Sequence, residues 1–167
     1  AAEPIFSTHH LLKTMIAYIR LLRPSQWIKN TFVFAPLVFS KHLFEFDFFF
    51  LGLKGFISFC VVSSAVYILN DIFDREADRA HPQKRNRPIA SGAVSLAAAR
   101  VMIAILILLA TWLSLPLHIG FRITLLSYFI LQFLYSLALK NVVILDVFII
   151  ASGFMLRVIG GAEVIEV

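Results

Sequence analysis

Long apolar runs alternate with short polar segments along the chain. Five are long enough to matter: Trp27 to Leu43, Phe48 to Leu69, Leu96 to Leu115, Phe121 to Leu139, and Val142 to Ile159. A hydrocarbon core of roughly 30 Å takes about 20 apolar residues of α-helix to cross, so each run predicts a membrane-spanning helix. The first is the shortest and carries Pro36 near its centre. None alternates with period two, and an open sheet edge could not satisfy its backbone in lipid. The pattern therefore predicts an all-α, polytopic transmembrane bundle. Ahead of it, His10 to Leu22 mixes apolar and polar residues at helical spacing, which predicts an amphipathic helix lying in the interface. The expected organisation is an N-terminal segment over 1–22 and a transmembrane domain over 23–167.

Composition agrees. Of the 167 residues, 60% are hydrophobic and only 15% charged, against about a quarter charged in soluble domains; too little polar surface remains to coat a water-soluble sphere. The formal charge of +5 is concentrated in Arg20 to Lys29 and Arg75 to Arg87, with Lys140 opening the last run. Because these residues flank apolar spans, they read as membrane topology and anion binding, not as a nucleic-acid surface. By the positive-inside rule these segments face the cytoplasm. Lys41 to Lys54 and Pro116 to Arg122 face out, so the strong polar clusters converge on the cytoplasmic side. Cys60, the single cysteine, reads as a buried small hydrophobe.

The richest polar stretch is Asn70-Asp71-Ile72-Phe73-Asp74-Arg75-Glu76-Ala77-Asp78, which continues the second span with no proline before Pro82. On a helix, residues four apart share a face, so Asn70, Asp74 and Asp78 form a stripe that Asp71 borders. Stacked carboxylates at the mouth of a bundle repel, and a divalent cation removes that penalty. Few hard oxygen ligands with room for phosphate suit Mg²⁺. The plainer reading is a solvated helix end, its acids neutralised by Arg75 and Arg79. The segment His81 to Gly92 follows, with two prolines and a glycine marking a loop. Its Lys84 and Arg87 have the chemistry to hold phosphate oxygens, or serve only as topological signals.

A second group comprises Tyr135, Ser136, Lys140, Asp146, Gly153, Phe154 and Arg157. An intramembrane Asp146 is expensive and should face a cavity. Arg157, about three turns on, is too far to pair with it along one helix; it needs another partner or snorkels to the outer surface. Near the start, Arg23-Pro24-Ser25-Gln26-Trp27-Ile28-Lys29-Asn30 sets hydrogen-bonding groups around Trp27, either a membrane anchor or part of a recognition surface.

These pieces resemble the UbiA superfamily of intramembrane prenyltransferases, and within it the decaprenyl-phosphate phosphoribosyltransferases. The likeness rests on RPSQWIKN at 23–30, NDIFDREAD at 70–78, HPQKRNRPIASG at 81–92, YSLALKNVVILD at 135–146 and GFMLR at 153–157. The resemblance implies a helical bundle around a cavity in a bacterial inner membrane, closed by cytoplasmic loops, with Mg²⁺ on Asn70, Asp71, Asp74 and Asp78 against a donor diphosphate. It places catalysis on Asp74, Asp78, Lys84 and Asp146. Substrate binding falls to Arg23, Gln26, Lys29, Asn30, Arg87, Tyr135, Lys140 and Arg157. The implied reaction moves 5-phosphoribosyl from phosphoribosyl diphosphate to a lipid-linked polyprenyl phosphate. Family members typically have nine spans, so five imply an N-terminal portion. Aromatic prenyltransferases usually carry a second carboxylate four residues after the first, where this chain has Ile150. A prenyl diphosphate donor, or a non-catalytic transporter or scaffold, are the alternatives.

Overall fold

The 28-residue helix α3, Phe46–Phe73, is the element on which the others assemble. The structure is a computed structural model describing residues 8–137 and 143–166, and every regular element among them is helical. In chain order these are α1 (Thr8–Leu22), a 3-10 helix (Pro24–Phe34), α2 (Ala35–Phe39), α3, α4 (Arg75–Ala80), a 3-10 turn (Lys84–Asn86), α5 (Leu96–Ser114), α6 (Ile119–Leu137) and α7 (Val143–Ile165). α1, α5, α6, α7 and the long 3-10 helix all pack on α3, while α5 and α6 barely touch each other. α3, α5, α6 and Leu145–Ile165 of α7 are long and apolar enough to cross a membrane.

The first expected span takes another form. Trp27 to Leu43 is not one α-helix but the end of the 3-10 helix followed by the five residues of α2. The chain still travels the depth of the bundle antiparallel to α3: Arg23 meets Asp71, Trp27 meets Ser64, Asn30 meets Ser63, and Leu37 lies against Gly52. The stretch of α3 from Asp71 to Gly52 is on the order of 28 Å at 1.5 Å per residue. A 3-10 coil rises about 2.0 Å per residue, so fewer residues keep pace. Side chains three apart eclipse on such a coil, which stacks Trp27, Asn30 and Val33 in one column, the last two fully buried.

That column fits because α7 has a glycine where it meets the Val33 backbone. A Cβ added at Gly161 would collide with the Val33 carbonyl oxygen, which is backbone and has nowhere to go. Gly161→Ala is therefore expected to lower stability by about 1–3 kcal/mol, the usual range for overpacking, read as a lower melting temperature in detergent. Two apolar clusters hold the rest. The larger joins Val33, Leu37, Phe59, Val62, Phe121, Leu125, Tyr128 and Val164. The smaller joins Leu21, Ile68, Ile89, Val94 and Ala99, and so pins the loop after α4 onto α1, α3 and α5. Within that loop Gly92 takes φ 81°, a conformation glycine adopts without steric cost, and the Ser95 hydroxyl caps α5 by accepting from the Ala98 amide at 3.1 Å.

Candidate active site

α3 does not run unbroken into the acidic stretch. Asp74, with φ −86° and ψ 0°, separates it from α4. The backbone ladder nevertheless bridges the break: the Asp74 amide donates to the Asn70 carbonyl at 2.9 Å and the Asp78 amide to the Asp74 carbonyl at 2.8 Å. The stripe therefore survives as a kinked helix.

Its acids do different things. Asp71, 2% exposed, accepts from Arg23 and, at 3.3 Å, from Arg87. Arg87 also donates to Asp78 Oδ2 at 2.7 Å, so one guanidinium clamps two carboxylates two turns apart. Arg75 and Arg79, the counter-charges of the plainer reading, pair with Glu76 instead; the Nε of Arg79 also donates to the Ala90 carbonyl at 3.1 Å, fastening α4 to the loop. Asn70 donates to Asp74 Oδ2 at 3.1 Å. Asp74, Asp78, His81 and exposed Lys84 line one small cleft.

Arg23 is held with unusual firmness. It adopts φ 51° and ψ 58°, a left-handed conformation that costs a non-glycine residue on the order of 1–3 kcal/mol. The bond to Asp71 and the stacking of its guanidinium 5.0 Å from the Tyr67 ring hold it there. Because Pro24 opens the 3-10 helix, this turn sets the height of the whole segment.

Across the mouth, Tyr135 of α6 donates to Asp146 Oδ1 of α7 at 2.6 Å and lies within electrostatic range of Asp74. The second group thus reaches the first at the same end of the bundle. Lys140 lies outside the described residues.

Arg157 does not snorkel to a surface. It is 5% exposed, donating from Nε to Asn30 Oδ1 at 2.8 Å, to the Gly153 carbonyl at 2.7 Å and to the Tyr128 hydroxyl at 2.9 Å. Its guanidinium also sits 4.7 Å from the Tyr128 ring centre. Asn30 in turn donates to Ser63 and Cys60. Trp27, a candidate membrane anchor, instead donates to Ser64 Oγ at 3.0 Å inside the bundle. Gln26 is half-buried and Lys29 exposed, on the column that Phe32 continues against Phe154. Sequence reasoning missed Tyr67, Ser63, Ser64 and Tyr128; the signal available for the serines was a pair of adjacent hydroxyls deep in the second span.

Among the described residues no three His, Cys, Asp or Glu side chains form a cage for a metal ion. That does not exclude Mg²⁺, which is commonly bound by one or two carboxylates and otherwise by substrate phosphates and water. Asp74 and Asp78 in one cleft, beside Lys84, fit that sparse arrangement.

Comparison with known proteins gives the family. The profile of the UbiA prenyltransferase family matches residues 31–166. The chain belongs to that family. Among UbiA relatives, the decaprenyl-phosphate phosphoribosyltransferase of Mycolicibacterium smegmatis is 37% identical over 153 residues, covering 89% of this chain and 48% of the relative. The enzyme of that name from Corynebacterium glutamicum is 38% identical over 147 residues, covering 86% and 44%. A solved structure, described as bearing on the biosynthesis of digeranylgeranylglyceryl phosphate synthase in membranes, superposes with a TM-score of 0.76 at 26% identity, covering 90% of this chain and 53% of that one. The chain spans about half the length of the curated relatives it matches. The UbiA match and the four apolar helices make it an integral membrane protein.

Proposed function

We propose that this UbiA chain carries the diphosphate-binding half of a transferase that moves 5-phosphoribosyl from phosphoribosyl diphosphate to a polyprenyl phosphate, releasing pyrophosphate. The observation that carries the reading is the meeting of Asp74, Asp78 and Lys84 in one cleft beside the Arg23–Asp71–Arg87 clamp. The two phosphoribosyltransferases at 37% and 38% identity support the choice of donor.

Asp74 and Asp78, with Asn70 orienting Asp74, would hold Mg²⁺. When bound, the ion supplies Lewis-acid stabilisation of the leaving diphosphate. Asp71 is engaged by two arginines, so its role in this arrangement is to fix Arg23 and Arg87 at the mouth. Lys84, exposed at the rim, places a mobile point charge on the donor phosphates, and Arg87 turns part of its fork toward them. Across the mouth, Tyr135 holds Asp146 in place on the acceptor side. An acceptor phosphate oxygen attacks the anomeric carbon of the sugar. The bond from that carbon to the diphosphate oxygen breaks, and pyrophosphate leaves with the electron pair. The attacking oxygen is already anionic, so no strong base is required. Fixed cations aimed at the departing charge supply the electrostatic part of the acceleration. The mouth faces the cytoplasm of a bacterial inner membrane in this reading, where a soluble donor is available.

The structural neighbour's link to digeranylgeranylglyceryl phosphate synthase favours a second reading, in which the donor is a prenyl diphosphate. Calorimetric titration of the intact protein separates them. Phosphoribosyl diphosphate should bind in Mg²⁺ and lose at least about tenfold in affinity in EDTA, with geranylgeranyl diphosphate binding more weakly. The reverse preference would overturn the donor assignment.

A further inference from the structure

α5 and α6 lean apart, and at the end of the bundle away from Asp71 a cleft of about 390 Å³ opens between them. Val62 of α3 is its floor, and Ile107, Ala110, Leu125, Leu126 and Phe129 are its walls. The hydroxyls of Thr111 and Ser114, also lining it, spend their protons on backbone carbonyls of α5 at 2.9 and 3.0 Å. The remaining lining group of note is Arg122, in the first turn of α6.

Arg122 is only half-exposed, and its Nε is buried with no hydrogen-bond partner. Among the described residues no carboxylate pairs with it. The acid on the neighbouring stretch of α7, Glu163, is engaged by His118 at 3.2 Å. An ionised side chain in a membrane helix is costly without a partner, and a buried donor left unmet adds to that cost. An anionic acceptor with an apolar body would meet the unpaired guanidinium and fill a slot walled by aliphatic and phenyl groups.

We propose that this cleft is a binding site for an anionic phospholipid, with one acyl chain between α5 and α6 and the headgroup phosphate on Arg122. Arginine matches a phosphate bidentately and is weakly hydrated, which favours the pairing at a lipid boundary. A water-soluble anion would gain nothing from the walls, and a lipid without an accessible net charge would leave the guanidinium uncompensated. A polyprenyl phosphate shares the chemistry, and the titration below separates it from a phospholipid. The site does not depend on the transferase reading and stands if that reading fails.

Native mass spectrometry of the intact protein, delipidated and then titrated separately with phosphatidylglycerol, phosphatidylcholine and polyprenyl phosphate, tests it. One phosphatidylglycerol should be retained under conditions that strip loosely bound lipid. Its apparent Kd should rise at least tenfold in Arg122→Gln and the adduct should vanish in Leu126→Trp, which fills the cleft from an exposed wall position. If Arg122→Gln does not fold, Leu126→Trp decides alone. Retention of the adduct in Leu126→Trp, equal binding of phosphatidylcholine, polyprenyl phosphate binding that is stronger and is lost in Arg122→Gln and Leu126→Trp, or no adduct to the unaltered protein would each overturn the proposal.

Discussion

Asp74→Ala in the intact protein is expected to lower turnover by at least about a hundredfold, the scale on which single electrostatic contributions to catalysis act, while its melting temperature stays within a few degrees. Asp74 occupies a one-residue break between α3 and α4, where the backbone ladder is made by its amide and carbonyl and not by its side chain. Its carboxylate accepts from Asn70 at the edge of the cleft that Asp78, His81 and Lys84 also line. Alanine keeps the backbone bonds and removes the oxygen that faces the donor in the proposed reading. Pyrophosphate release and a thermal melt on the same sample check both halves. A variant with full turnover would remove Asp74 from the diphosphate site.

Asp71→Ala carries the opposite signature. Asp71 is buried at the point where Arg23 and Arg87 converge, and deleting one partner of a buried ionic cluster typically costs about 3–5 kcal/mol. Arg23 would lose the contact that holds its left-handed turn, and Arg87 would keep only Asp78. The expected result is a large fall in melting temperature, even with donor bound. Asp71→Asn, which keeps an acceptor oxygen, should fall between. If Asp71→Ala melts like the unaltered protein yet loses turnover, Asp71 acts on the substrate or metal and not on the fold.

The two variants separate acids that sequence alone placed in one group. Spacing put Asn70, Asp74 and Asp78 on one stripe with Asp71 at its border, and the kinked helix keeps that stripe. What spacing could not give was the partner of each acid, because Arg23 and Arg87 come from 48 and 16 residues away from Asp71. Pattern likewise found the four α-helical spans, since lipid imposes a length that hydropathy reads directly, although α3 and α7 run four and six residues past their predicted ends. It failed at the first span because the sum of apolar residues there predicts an α-helix. The actual coil is set by Arg23 and Pro24 at its start and by the three-residue column of Trp27, Asn30 and Val33, whose contacts on α3 and α7 are tertiary. Arg157 was legible as a charge in need of a partner; that the partners are an asparagine, a tyrosine and a carbonyl, with aromatic faces, was not.

The central claim is that the cleft at Asp74 works on phosphoribosyl diphosphate. It is tested most directly by following the lipid product: the intact protein in liposomes is given polyprenyl phosphate, Mg²⁺ and phosphoribosyl diphosphate labelled in the sugar. Transfer of label to the lipid fraction, dependent on Mg²⁺ and lost in Asp74→Ala, is the result predicted. No labelled lipid, with turnover instead when a prenyl diphosphate and a small acceptor are supplied, would contradict it.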